Sequence, residues 1–173
     1  MSIKKNKIGV LGGSFDPAHK GHLAISTDAK KRFKLKKIIW AITKKNPLKK
    51  ESTTNLLIRI KKCKKVIGKK SYIKVKFYEN LIRSNKTINL INYLSKNRKN
   101  EIHFLMGADN LINFHKWYKW KSISKKCKII VFDRHGYKKK SLNSVTFRRL
   151  SQKNLKYIEF NKVNISSSQL RKI

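Results

Sequence analysis

Short runs of apolar, largely β-branched residues alternate along this chain with longer segments whose apolar positions recur every three or four residues. Residues 7–11, 37–43, 72–77, 101–106, 127–132 and 157–160 predict strands, and residues 20–33, 55–67 and 88–97 predict helices. Strands alternating with helices imply βαβ units, so the expected fold class is α/β: a Rossmann-like open parallel sheet with helices on both faces. In such sheets ligands bind beyond the carboxyl ends of the strands, near the point where strand order reverses. That rule selects residues 12–22, after the first strand, and residues 107–120, after the fourth.

Length changes this picture little. A chain of 173 residues with 39% apolar content supports one core, and the expectation is one domain over residues 1–173. No run approaches the roughly 20 apolar residues of a membrane span, and no signal-peptide pattern precedes the first strand, which predicts a cytoplasmic protein without a membrane partner. Cys63 and Cys127 have neither metal-ligand spacing nor the density of a disulfide scaffold, and are read as reduced thiols.

Charge is the unusual feature. Forty-five Lys and Arg against eight Asp and Glu give +37, a balance that ordinarily points to nucleic acid. Here the excess is mainly lysine, spread from Lys4 to Lys172 and accompanied by much Ile and Asn, residues with AT-rich codons. Codon bias accounts for such a surface without a specific nucleic-acid partner. The remaining expectation is attraction of anionic substrates and weak, salt-sensitive RNA binding.

Chemistry concentrates in three motifs. The first is GGSFDPAHKGH, where Gly12 and Gly13 permit a tight turn and close approach to a ligand, followed by Ser14 and Phe15. A helix starting near Lys20 presents amide N–H groups to phosphate oxygens, and His19 and His22, three residues apart, project from its first turn. The segment matches neither the dinucleotide fingerprint nor a Walker A loop. It resembles instead the nucleotidyltransferase superfamily, which carries an H-x-G-H or T-x-G-H signature after its first strand. The resemblance implies that His19 and His22 contact ATP phosphates and stabilise the charge of departing pyrophosphate.

The second motif, ISSSQLRK near the carboxyl end, places Ser166 and Ser167 where they can cap a short helix, with Arg171 one turn on. A guanidinium suits bidentate contact with the β and γ phosphates. This motif resembles the superfamily's I-S-S-T-x-I-R signature, with Ser168 in place of Thr and Leu170 in place of Ile.

The third motif, MGADNLINFHKWYKWKSI, resembles the G-A-D-N…F-H-x-W-x-x-W signature of bacterial nicotinate-nucleotide adenylyltransferases. That resemblance implies transfer of AMP from ATP to nicotinate mononucleotide, yielding deamido-NAD and pyrophosphate in NAD biosynthesis. Trp117 becomes the residue stacking on the nicotinate ring, Tyr118 a main-chain donor to its carboxylate, and Asp109 a contact of the bound nucleotide. Aromatic residues at this spacing also serve as ordinary core. By the same resemblance Lys49, in a segment where Leu48 replaces the family's His, approaches substrate phosphate; Thr87 and Arg134 complete the acceptor site. Mg²⁺ is expected to enter with ATP, held by phosphate oxygens and water. A transferase of the same fold acting on another acceptor, such as phosphopantetheine, and a basic nucleic-acid-binding module are the alternatives.

Overall fold

In the computed structural model, which describes residues 5–45, 54–150, 154–160 and 167–171, the strands form one parallel sheet. They are β1 (Asn6–Gly13), β2 (Lys37–Ile42), β3 (Ile73–Lys76), β4 (Asn100–Gly107), β5 (Lys128–Phe132) and β6 (Leu155–Ile158), in the order β3-β2-β1-β4-β5-β6. The order reverses between β1 and β4, the two strands picked out by the sequence rule.

Both faces of the sheet are covered, which is why its strands read as nearly continuous apolar runs. Ile8, Val10, Phe104, Met106, Ile129 and Val131 face one core, and Leu11, Ile38, Trp40, Leu105, Ile130 and Phe132 face the other. The first core is closed by α4 (Thr87–Ser95), α5 (Ala108–Asn113) and α6 (Trp120–Lys126), the second by α1 (Lys20–Phe33) and α2 (Leu56–Ile67). Gly9 lets the second layer approach closely, since a Cβ there would stand 2.9 Å from Leu35 Cδ1. No helix among the described residues is long and apolar enough to cross a membrane.

The long predicted elements agree with the structure to within a few residues. The last strand differs, spanning Leu155–Ile158 in place of 157–160. Leu155 pairs with Ile129 and is buried, whereas Phe160 leaves the strand to pack edge-on against Phe132 at 5.3 Å. The short helices α3 (Glu79–Ile82), α7 (Lys138–Leu142), α8 (Val145–Arg149) and α9 (Ser167–Leu170) were not predicted apart from the last. Four or five residues do not complete enough turns for a helical period to show.

Candidate active site

The β1–α1 turn departs from the sequence expectation in its details. Gly12 and Gly13 do not make the turn: they continue β1, pairing with Ala41 and Ile42 of β2. The bend falls at Phe15, a buried residue with φ of 49°, stacked on Trp40 at 5.0 Å. A Cβ on Gly12 or Gly13 would make only ordinary contacts with Phe104 or Phe15, so the protein itself does not demand glycine there. Both glycines line the cavity.

At the start of α1 the two histidines cap the helix reciprocally. His19 Nδ1 accepts from Gly21 N at 3.1 Å, and His22 Nδ1 accepts from His19 N at 3.2 Å, a capping box built from imidazoles. Amides expected to meet phosphate directly are therefore partly used by the side chains. With Nδ1 an acceptor in both rings, the neutral imidazoles carry their proton on Nε2. The rings lie 3.9 Å apart. Burial, with Arg134 nearby, lowers the pKa of His19 to about 4, so it is a neutral donor at physiological pH. From the core side, buried Trp40 donates to Ser26 Oγ at 2.8 Å, and Ser26 donates to the His22 carbonyl at 2.9 Å. The histidine turn is thus fixed to the sheet.

Across the switch point, β4 ends at Gly107 and α5 begins at once. Asp109 Oδ2 pairs with Arg134 Nη1 at 2.9 Å, while its Oδ1 is buried without a hydrogen-bond partner among the described residues. Arg134 follows β5 and is oriented through its own backbone: Asp133 Oδ1 accepts from Arg134 N and from the Tyr157 hydroxyl, each at 2.7 Å. Burial first, and the bond to Asp133, push the Tyr157 hydroxyl up to about 12, so it remains a donor. Arg134 is thereby a cavity residue and not a solvated surface arginine.

Trp117 lies just beyond the 3₁₀ turn Phe114–Lys116 and is half-buried. It packs edge-on against Phe104 at 6.0 Å and Phe114 at 5.1 Å, and it also lines the cavity. Trp117 is therefore both a cavity-lining and a packing residue. Tyr118 is exposed at the cavity rim, and Thr87 opens α4 at its wall.

All these parts face one cavity of about 660 Å³ over the carboxyl ends of β1 and β4. Gly12, Gly13, Ser14, Phe15, His19 and His22 line it together with Thr87, Asp109, Trp117, Tyr118 and Arg134. Ser167 and Arg171 reach it from the carboxyl end. Ser167 Oγ donates to the Pro17 carbonyl at 2.8 Å, and Arg171 Nη1 donates to the Asp16 carbonyl, so α9 is docked onto the β1–α1 loop. Lys49 and Ser166 lie outside the described residues.

Sequence reasoning missed Thr43, Glu79 and Asp133, which also line the cavity, and Arg59 beneath it. Glu79 Oε1 accepts from Thr43 Oγ1 and, at 3.1 Å, from Lys44 N. One signal could have found the acids. In a chain with only eight Asp and Glu against 45 Lys and Arg, Asp16, Glu79, Asp109 and Asp133 all sit at or beneath this one cavity.

A parallel sheet with this strand order and a histidine-capped helix at its switch point mark a nucleotidyltransferase; the cytidylyltransferase-like family model matches residues 10–173. A probable nicotinate-nucleotide adenylyltransferase of Pelagibacter ubique is 68% identical over 173 residues, covering 100% of this chain and 96% of that protein. One from a Bradyrhizobium strain is 36% identical over 148 residues, covering 84% and 77%. The chain belongs to the nicotinate-nucleotide adenylyltransferase family. Among solved structures, Plasmodium falciparum nicotinic acid mononucleotide adenylyltransferase complexed with NaAD has the same fold, with a TM-score of 0.78 at 22% identity over 96% of this chain and 83% of that one.

Proposed function

We propose that this protein transfers the adenylyl group of ATP to nicotinate mononucleotide, giving deamido-NAD and pyrophosphate, within one domain over residues 1–173 in the cytoplasm, where ATP is supplied. The observation that carries the reading is that one cavity is lined by both the His19–His22 pair and Trp117.

The acceptor's phosphate attacks the α-phosphorus in line, and no protein nucleophile is needed, so alignment and charge stabilisation supply the catalysis. Gly12, Gly13, Ser14 and Phe15 form the floor on which ATP lies. His19 and His22 donate from Nε2 to phosphate oxygens as charge moves onto pyrophosphate, and Arg171, with Ser166 and Ser167, holds the leaving group. Losing one such donor in other enzymes costs about 2.7–4 kcal/mol. Trp117 stacks on the nicotinate ring, the main chain at Tyr118 receives the carboxylate, and Thr87, Asp109, Arg134 and Lys49 hold the rest of the acceptor.

Nucleotidyltransferases generally use a divalent metal, and Mg²⁺ fits here as an ion brought by ATP. Each of the cavity's carboxylates has one oxygen engaged, Asp109 Oδ2 with Arg134, Glu79 Oε1 with Thr43 and Lys44, Asp133 Oδ1 with Tyr157, and they do not form a dedicated cage among the described residues. Phosphate oxygens and water would supply the ion's ligands, and its chemistry is neutralisation of phosphate charge.

The test is pyrophosphate release from ATP with nicotinate mononucleotide, nicotinamide mononucleotide and phosphopantetheine side by side. Preference for the nicotinate acceptor supports the reading; turnover with phosphopantetheine alone, or none with any acceptor, rejects it.

A further inference from the structure

Beneath the cavity lies a charged side chain to which the reaction as described gives no part. Arg59, on the first turn of α2, is only 2% exposed and does not line the cavity. Its guanidinium reads four carbonyls. Nε donates to Thr54 O at 3.0 Å, Nη2 to Lys44 O at 3.2 Å, and Nη1 to both Ser14 O at 2.6 Å and Thr43 O at 2.9 Å.

One nitrogen therefore ties the loop after β1 to the loop after β2. Ser14 belongs to the ATP floor proposed above, and Thr43, which lines the same cavity, begins the stretch of sequence that carries Lys49 of the proposed acceptor site. Thr43 and Lys44, whose carbonyls Arg59 holds, are gripped from their donor side by Glu79, which takes the Thr43 hydroxyl and the Lys44 amide, while Thr43 N donates to Gly13 O at 3.0 Å. Thr43 and Lys44 thus sit in a clasp, carbonyls on Arg59 and donors on Glu79. A planar fork with fixed N–H directions suits such a fan of carbonyls better than an ammonium, whose donors rotate about a single nitrogen.

We propose that Arg59 is a positioning residue for the transfer: it fixes the ATP loop against the acceptor loop and so sets the distance between the α-phosphorus and the attacking phosphate. The inference rests on the adenylyl-transfer reading above. Arg59 does not line the cavity itself, so it acts on alignment through the loops whose carbonyls it holds. A misplacement of about 1 Å in reacting groups costs on the order of a hundredfold in rate.

The experiment compares Arg59→Lys and Arg59→Gln with the parent by thermal melt, by separate binding of a nonhydrolysable ATP analogue and of nicotinate mononucleotide, and by steady-state turnover. In the folded variants, kcat per folded molecule falls by about thirtyfold or more, further in Gln than in Lys, while each dissociation constant stays within about threefold of the parent. The proposal is overturned if kcat per folded molecule stays within about threefold of the parent. It is overturned equally if the loss is confined to the KM of one substrate, or if both variants are unfolded at assay temperature. Failure of the parent itself to release pyrophosphate would instead reject the adenylyl-transfer reading, which separates the two failures.

Discussion

Gly107 and Asp109 are matched in shape: a Cβ on Gly107 would stand 2.6 Å from Asp109 Oδ1, although the glycine has an ordinary φ of −79° that any residue adopts. The demand for glycine is thus set by the carboxylate, which is pinned through Oδ2 to Arg134. Gly107→Ala should displace Asp109, weaken the ion pair and lower kcat/KM by about tenfold or more, with little change in melting temperature. Full activity in Gly107→Ala would show that the Asp109–Arg134 pair does not matter for turnover.

The reciprocal cap allows helix stability and catalysis to be separated at His19. Asparagine is a good N-cap whose oxygen can take the place of Nδ1, but it has nothing at the position of Nε2. His19→Asn should therefore melt near the parent temperature and lose most of its turnover. His19→Ala should lose both, with about 0.5–2 kcal/mol of stability gone with the cap. Equal activity in His19→Asn and the parent would remove Nε2 from the mechanism.

His19 also sets a pH window. Its pKa is lowered from 6.5 to about 4 on folding, so between those values the unfolded chain binds more protons than the folded one. Stability contributed by the neutral ring is complete above 6.5 and is lost as pH falls through that window. Denaturant melts across the range should show a shallower acid decline in His19→Asn than in the parent. Parallel curves would place the neutral imidazole elsewhere.

Trp117→Ala should raise the KM for nicotinate mononucleotide by about tenfold or more, the equivalent of about 1.4 kcal/mol of stacking, and leave the KM for ATP nearly unchanged. Because Trp117 also packs on Phe104 and Phe114, the melting temperature should fall as well. Trp117→Phe, which keeps a ring, should recover much of the acceptor affinity. A lower melting temperature with both KM values unchanged would make Trp117 core alone.

Arg171→Ala should weaken use of ATP more than use of nicotinate mononucleotide, since Arg171 reaches the cavity from the ATP-loop side through Asp16. Steady-state kinetics with each substrate varied in turn decide this. Equal loss for both would move Arg171 out of the leaving-group site.

By itself the sequence determined the parallel sheet, the longer helices and the residues at both ends of the site, because those signals are local: apolar runs of strand length, a helical period over several turns, and His, Gly and Trp at fixed short spacings. Tertiary structure alone decided the rest, because hydrogen bonds link residues far apart in the chain. Arg59 looks like one more cation among 45 until it is seen buried against the carbonyls of Ser14 and Thr43. Glu79 was equally silent, as its partners Thr43 and Lys44 precede it by 36 and 35 residues. Even at the best-read motif, spacing put His19 and His22 side by side but could not show that both Nδ1 atoms are spent on amides of the same helix start, His19 on Gly21 N and His22 on His19 N. Side-chain type and spacing are written in the chain, whereas the atom that each group has left for a ligand depends on what the fold has already bound.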